Sequence, residues 1–498
     1  MLYNLDWLQK GQAFPPRAEI ARIRKYSDNT LLFQGDIAPG FVNKEEYVKA
    51  RARIERVLNN YSDMVCYPVD LNYHRLTSIK TADFVCGEKP IISLKGTEDS
   101  SGVNDMLNDD NIGFFKKLYT AVIDLSRFGD GVLRVYKRKD NGKNTVVVID
   151  PRRWYKVVDE EDPTEVLCHV IAWVKEKPVT TAVSEYELHA QIHERGRYIK
   201  RVFSLAAGAP MDYTDPFTGQ VFQRVTTHQI GNQIGPDTVV PTGLSDFAIV
   251  PLTGLITSDD IYGKDDYEPM DGILAEVWTR LGQIAIILDK HSNPDMHAPE
   301  SAFMQNAKGE WVLKTGGNCY ITAPDETVPG YITWDGQLTA NFAKIDLLMK
   351  QLYRISEMGA VFEASESASN IAVETMKARF ISALKKAERI TNGIDGSVRK
   401  LIALISETGW KRVEANALNI EWCDGLPQDE GTEIDNATKL INAGLSTARR
   451  ENVERFGKTQ EAADEIQAEV DEQRLAAAAA MGFGHGGEGD DGGGVGDE

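Results

Sequence analysis

The sequence predicts an α+β chain of several domains, organised around two long helices in its second half. Three observations carry that expectation. The 498 residues exceed what one hydrophobic core organises. Helical periodicity gives way to strand alternation near residue 130. Beyond residue 268 an apolar stripe at spacings of three and four appears on two helices of similar length, which flank a short insert.

Residues 45–61 open the helical part, with Tyr47, Val48, Ile54, Val57 and Leu58 recurring among Lys, Arg and Glu. Residues 72–84 and 113–127 follow, the latter with Phe114, Leu118, Ala121, Val122 and Leu125 on one face. Alternation takes over at 131–137. Asp140-Asn141-Gly142 suits a hairpin turn, because Asn and Gly accept positive φ, and 145–149 is the return strand. Strands at 166–175, 185–194 and 198–205 continue the pattern, with Glu194-Arg195-Gly196-Arg197 turning between the last two. Residues 208–245 are rich in Gly, Pro, Thr and Asp and read as a long loop. A short apolar strand at 247–251 closes this half.

Pro269-Met270-Asp271-Gly272 opens the first long helix, which runs to about residue 290 with the stripe Leu274, Val277, Leu281, Ile284 and Leu288. His291-Ser292-Asn293-Pro294 stops it. The insert that follows carries short strands at 310–314 and 319–322. The second long helix, 338–358, bears Leu338, Phe342, Ile345, Met349, Leu352 and Ile355. A segment rich in Ser and Glu, 360–370, separates it from helices expected at 371–390 and 396–407. A strand at 418–423 and helices at 432–444, 447–456 and 461–480 complete the ordered chain. From Met481 onward the residues are mostly Gly, Asp and Glu, so disorder is expected there.

The formal net charge of −20 argues against a protein that grips nucleic acid over a broad surface, since that needs clustered Lys and Arg. It leaves room for a protein past which nucleic acid slides. No apolar stretch reaches the roughly 18 residues of a membrane span, and no signal peptide is expected at the N-terminus. Cys66, Cys86, Cys168, Cys319 and Cys423 are scattered, with no CxxC pair, which suggests neither a zinc site nor a disulfide framework.

Signals of chemistry are weak. His189 and His193 have the spacing of a metal-binding pair, but their segment reads as a strand and lacks a third ligand. Gly457-Lys458-Thr459 echoes the end of a phosphate-binding loop, yet Asn452 stands where its first glycine belongs. No GxSxG or Cys/His nucleophile arrangement stands out, so no catalytic residue, metal or cofactor is expected. Trp173 and Trp410 read as core residues rather than base-stacking platforms.

Several strings, in this order, resemble the portal proteins of tailed bacteriophages, and most closely those of long-tailed phages of Gram-positive hosts. They are Gly129-Asp130-Gly131, Ile149-Asp150-Pro151-Arg152-Arg153-Trp154, Tyr262-Gly263-Lys264-Asp265-Asp266-Tyr267, Ile332-Thr333-Trp334-Asp335-Gly336-Gln337, and Asp424-Gly425-Leu426-Pro427 followed by Ala443-Gly444-Leu445-Ser446. The resemblance covers roughly 120–460. It implies a multi-domain portal fold: an N-terminal segment (1–39), a wing (40–267), stem helices (268–290 and 338–358) around a clip (291–337), and a tunnel loop (359–370). Further wing elements (371–425), a crown (426–480) and the acidic tail (481–498) follow.

The resemblance also implies a non-enzymatic subunit of a ring of about twelve, assembled in the host bacterial cytoplasm and seated at one capsid vertex of the virion. Its partners would be double-stranded DNA passing without sequence specificity, the terminase large subunit, a head–tail adaptor, and the major capsid and scaffolding proteins, with no membrane. Leu274, Val277, Leu281, Ile284, Leu288, Phe342, Ile345, Met349 and Leu352 would pack the stem and its neighbours. Glu363, Ser365, Glu366, Ser367, Ser369 and Asn370 would face DNA, where carboxylates repel phosphates and hydroxyls offer weak, sequence-blind contacts. Lys344, Lys350 and Arg354 are candidate channel charges, or solvated surface charges. Another capsid or adaptor component, or a hydrolase, are the alternative readings.

Overall fold

Alternation of apolar residues from Asp130 onward builds two antiparallel sheets, and the helices before and after them cover their edges and faces. The structure, a computed structural model, describes residues 1–35, 52, 71–95, 100–178, 184–214, 221–292, 296–313, 330–331, 338–359, 361, 378–423, 430–454 and 460–482. The chain divides into two compact units, one of residues 1–371 and 375–425, the other of 372–374 and 426–498. The fold is α+β.

In the first unit, β1 (Ala13–Phe14) and α1 (Ile20–Gln34) are followed by α2 (Tyr73–Cys86), β2 (Ile91–Leu94), α3 (Ser101–Asn108) and α4 (Phe114–Phe128). The chain is then nearly all strand. β3 (Asp130–Lys137), β4 (Asn144–Ile149), β5 (Trp154–Val158), β6 (Val166–Pro178) and β7 (Ser184–Glu194) come first. β8 (Arg197–Leu205), β9 (Ala209–Thr214), β10 (Val221–Gln233), β11 (Thr238–Pro241) and β12 (Ile249–Thr253) follow. The long helix α5 (Glu268–Ser292) leads into the small strands β13 (Met296–His297), β14 (Phe303–Gln305), β15 (Trp311–Leu313) and β16 (Gly330–Tyr331). Helices α6 (Leu338–Ser356) and α7 (Ile381–Ser406) and strand β17 (Leu418–Glu421) complete the unit. The second unit holds α8 (Glu430–Asn442), α9 (Ala448–Glu454) and α10 (Gln460–Gly482), the last two tied by Arg449 and Asp464 at 2.6 Å.

The large sheet has the order β1-β10-β8-β7-β6-β5, with β11 on β8 and β9 on β10. Side chains of period two send its middle strands into two cores. Tyr155, Val157, Cys168, Val170 and Ala172 join Leu8, Phe14 and Ile23 on one side. Trp154, Val158 and Ile171 join Val132, Ile249 and Tyr262 on the other. The three-stranded sheet β12-β3-β4 supplies that second side, and β17 pairs with β2.

Two expectations need correction. Residues 208–245 are not a loop: β9, β10 and β11 extend the large sheet there. Its Gly and Pro content hid a real alternation, in which Val225, His228 and Ile230 are buried. Gly231 is needed where β10 runs close to β8, since a Cβ there would lie 2.5 Å from Ser204 Oγ and 3.0 Å from the Ser204 carbonyl oxygen. The two helices expected after residue 371 are one helix from 381 to 406, preceded by a turn at Phe380; Gly393 and Gly396 do not break it, because its Ile390, Ile394, Val398, Leu401 and Ile405 are all buried. The first 35 residues also join the core of the large sheet, through Leu2, Trp7, Leu8, Phe14 and Ile23. In the insert, β15 appears at the expected place and pairs with β14. The helix expected at 45–61 (apart from Ala52) and the strand at 319–322 lie outside the described residues.

Candidate functional site

Two of the motifs singled out in the sequence meet at the foot of the first long helix. Gly129 ends α4 at φ 89, a left-handed cap that glycine adopts without steric cost. A Cβ on Gly129 would lie 2.1 Å from the carbonyl oxygen of Gly263, and one on Gly263 would lie 2.0 Å from the carbonyl oxygen of Gly129. The backbones therefore cross where only glycine fits. Asp130, fully buried, accepts the N–H of Gly263 at 3.0 Å; burial raises its carboxyl pKa, with Lys156 opposing.

Immediately beyond, Asp265 accepts the N–H groups of Tyr267 and Glu268 at 2.9 Å each and pairs with Lys25 at 2.6 Å. This caps the start of α5, a contribution of about 1 kcal/mol. Burial works against the Lys25 ammonium, but Asp265 and Glu268 outweigh it and raise its pKa. Asp266 accepts Ser126 Oγ at 2.6 Å and Thr81 Oγ1 at 3.3 Å, and pairs at 2.9 Å with the buried Lys386 of α7. Asp271 lies 3.1 Å from His74 Nε2, and the Tyr267 hydroxyl is 2.8 Å from Ser78 Oγ. Helices α2, α4 and α7 thus hold the root of α5 by buried polar contacts.

At 1.5 Å per residue α5 is roughly 37 Å long and α6 roughly 28 Å. The two pack against each other. Leu274, Val277 and Ile284 of α5 and Leu352 of α6 are buried, while Leu281, Ile345 and Met349 are partly covered. Leu274 and Leu352 meet Leu32, Tyr267 and Met270 in one cluster at the root. Other apolar side chains of the pair face water: Leu288 is 51% exposed, Phe342 51%, Leu347, off the stripe, 57%, and Ile355, beside the root, 46%. The expected stripe is therefore only partly covered within a single chain.

Of the three candidate channel charges, Lys344 is neutralised. It pairs at 2.7 Å with Glu276, which Arg280 also holds at 2.8 Å. Burial would raise the Glu276 pKa, but these two cations outweigh it and lower it. Lys350 and Arg354 instead line a cavity of about 300 Å³ with Arg379, a residue the sequence reading did not select. Tyr353, Glu357, Gly359, Phe380, Ser382 and Ala383 complete the lining. Glu357 ends α6 at φ 60, the non-glycine residue with positive φ among the described residues. That conformation costs roughly 1–2 kcal/mol. Arg389 of α7 pairs with the Glu357 carboxylate, and Lys386 donates to the carbonyl of Ser356 at 3.3 Å. Lys350 and Arg354 are like charges one helical turn apart, a mildly unfavourable placement, and nothing in that spacing points to a third cation such as Arg379.

Glu363, Ser365, Glu366, Ser367, Ser369 and Asn370 lie outside the described residues, as does Gly457-Lys458-Thr459. His189 stacks on Trp173 with ring centroids 5.6 Å apart and binds Glu187 at 3.0 Å, while His193 is fully buried; the two do not share a site. Trp410 carries Lys143 over its ring at 3.9 Å. Among the described residues there is no group of His, Cys, Asp and Glu that could hold a metal ion, and no helix is long and apolar enough to cross a membrane.

Residues 44–188 match the model of a protein family described as phage portal protein, SPP1 Gp6-like. The match is to phage portal proteins and does not select among host or tail types. No curated protein matches the chain. Among solved structures, the neck of an empty gene transfer agent particle, computed with C6 symmetry, matches at 11% identity and a TM-score of 0.43, over 76% of this chain and 89% of that one. The neck of the native particle with C12 symmetry matches at 11% and 0.39, over 76% and 89%. The virion of the native particle matches at 11% and 0.39, over 76% and 88%.

Proposed function

We propose that this chain is a phage portal protein: a structural, non-enzymatic subunit of a ring of about twelve at one capsid vertex, through which double-stranded DNA enters and leaves. The observation that carries the reading is the match of residues 44–188 to the phage portal family. The half-open stem supports it. A helix pair that leaves Leu288, Phe342, Leu347 and Ile355 exposed offers apolar surface that a neighbouring copy of the same pair would cover by rotation. On this reading the first unit holds the wing and stem, residues 291–337 form the clip that meets the terminase and later the adaptor, and residues 426–480 form the crown. The loop 359–370 is the tunnel loop. Particle assembly in a bacterial cytoplasm, with capsid and scaffolding proteins as partners, belongs to the same proposal.

The test is the mass of the assembled protein. The wild-type chain is expected as a closed ring by native mass spectrometry and by images down its axis. The double variant Phe342→Glu, Leu347→Glu is expected as a folded monomer, with a melting temperature matching that of wild-type monomer, because both side chains already face water. A wild-type chain that stays monomeric, or a double variant that still closes the ring, overturns the reading.

A further inference from the structure

We propose that Arg134 and His193 hold a small monovalent anion, of the size and charge of chloride, where the three-stranded sheet meets the large sheet. The inference does not rest on the portal reading.

Strand register brings the groups together. His193 of β7 stands opposite His169 of β6 and Tyr198 of β8, and Gln191, two residues earlier, shares its face. Arg134 of β3 reaches this face from the other sheet. Its Nη1 donates to Gln191 Oε1 at 2.8 Å, and its guanidinium lies 5.1 Å from the centre of the Tyr198 ring. The His193 ring stacks on the same Tyr198 with centroids 5.1 Å apart. His169 has a partner, since its Nδ1 accepts from the Trp154 indole at 3.2 Å. His193, fully buried, has none for either ring nitrogen among the described residues, and neither has the buried Nε of Arg134. Every residue of β3 and β8, and the neighbouring stretch of β7, is described. Buried polar atoms are nearly always paired, so two side chains that meet at one ring and each keep an orphaned donor mark the place of a bound species.

Charge selects an anion over water. No carboxylate pairs with Arg134 among the described residues; burial lowers its pKa, and only Tyr198 and Tyr136 oppose the shift. Burial lowers the His193 pKa to about 3, and Arg134 and then His169 push it the same way. Asp246, the carboxylate that acts on neighbouring His169, is already taken by Lys400 at 2.6 Å and Arg195 at 3.4 Å. The two orphaned donors therefore sit in a positive field, where an anion supplies the missing charge and a water does not. Full burial of His193 favours a monatomic ion over a phosphate or a carboxylate ligand. Held from β3 on one side and β7 on the other, the ion joins the two sheets.

The experiment follows the chloride NMR linewidth and the thermal melting of the full-length protein as sodium chloride replaces sodium gluconate at constant ionic strength. Wild type is expected to broaden the chloride line, to lose that broadening when bromide competes, and to melt at a temperature that rises with the logarithm of chloride concentration. His193→Phe and Arg134→Gln, checked as folded by circular dichroism, should each weaken chloride binding about tenfold or more, because each removes a donor to an ion. Arg134→Lys, which keeps the charge, should retain part of the binding. A wild type that leaves the line sharp, or that melts at the same temperature in both salts, holds only water here and overturns the proposal whether or not the variants fold. Folded variants that broaden the line as wild type does place the ion elsewhere and overturn it equally.

Discussion

In the large sheet every residue of β5 is buried, and its two faces feed two cores that close within one chain. In the α5–α6 pair Leu274 and Leu352 meet Leu32 and Met270 in one buried cluster, while Phe342, Leu347 and Ile355 face water. The sheet region is finished as a monomer. The helix pair keeps several apolar side chains in water. On the portal reading proposed above, that exposed apolar area is where assembly free energy would come from.

The largest effect that breaks this contrast is expected in the sheet. Trp154, fully buried and donating to His169 Nδ1 at 3.2 Å, should cost about 3–5 kcal/mol as Trp154→Ala, read as a fall in melting temperature whether or not the protein is assembled. A loss below about 1 kcal/mol would mean that the two cores are less self-sufficient than described.

An intermediate effect concerns acid. His169 is held to a pKa of about 3 by burial, with Lys156 and Lys400 adding to the shift, and His193 to about 3 by burial, with Arg134 and His169 adding. Their folded values lie below the ordinary 6.5, so the stability they supply is complete above that pH and is lost as the pH falls towards 3. Each contributes a slope of about 1.4 kcal/mol per pH unit in that window. Asp124, raised to about 6 by burial with Arg127 opposing, acts in the reverse sense. The informative quantity is therefore the difference between wild type and His193→Leu in denaturant melts from pH 6.5 down to 4. The variant should be flatter by about one proton, and parallel curves would refute the assignment.

The smallest effect sharpens the contrast from the helix side. Lys344 and Glu276 bridge α6 and α5 at 2.7 Å, but the lysine is 43% exposed. A double-mutant cycle with Lys344→Gln and Glu276→Gln should give a coupling of only about 0.2–1 kcal/mol. A coupling of several kcal/mol would show that charge rather than apolar contact joins the two helices.

Much of the architecture was legible beforehand. The hairpin at Asp140-Asn141-Gly142 lies between β3 and β4, and the strands from 166 to 205 and the two long helices stand where their periodicity put them. The failures share a cause. At 208–245 the Gly and Pro content suggested a loop, and at 391–395 a gap was left between two expected helices; packing overrode both, because buried neighbours supplied more than the local propensity cost.

At the candidate site the sequence offered Lys344, Lys350 and Arg354 as equals. The structure separates them, spending Lys344 on Glu276 and leaving the other two beside Arg379. By itself the sequence determined the fold class, the order of the main elements, and the stripes that commit two helices to each other. Periodicity is a property of near neighbours along the chain, so it can be read there. Only the tertiary structure decided which glycines must be glycine and which charges remain unspent. Gly129 against Gly263 and Lys386 against Asp266 are contacts between residues more than a hundred positions apart, and nothing local in the chain encodes them.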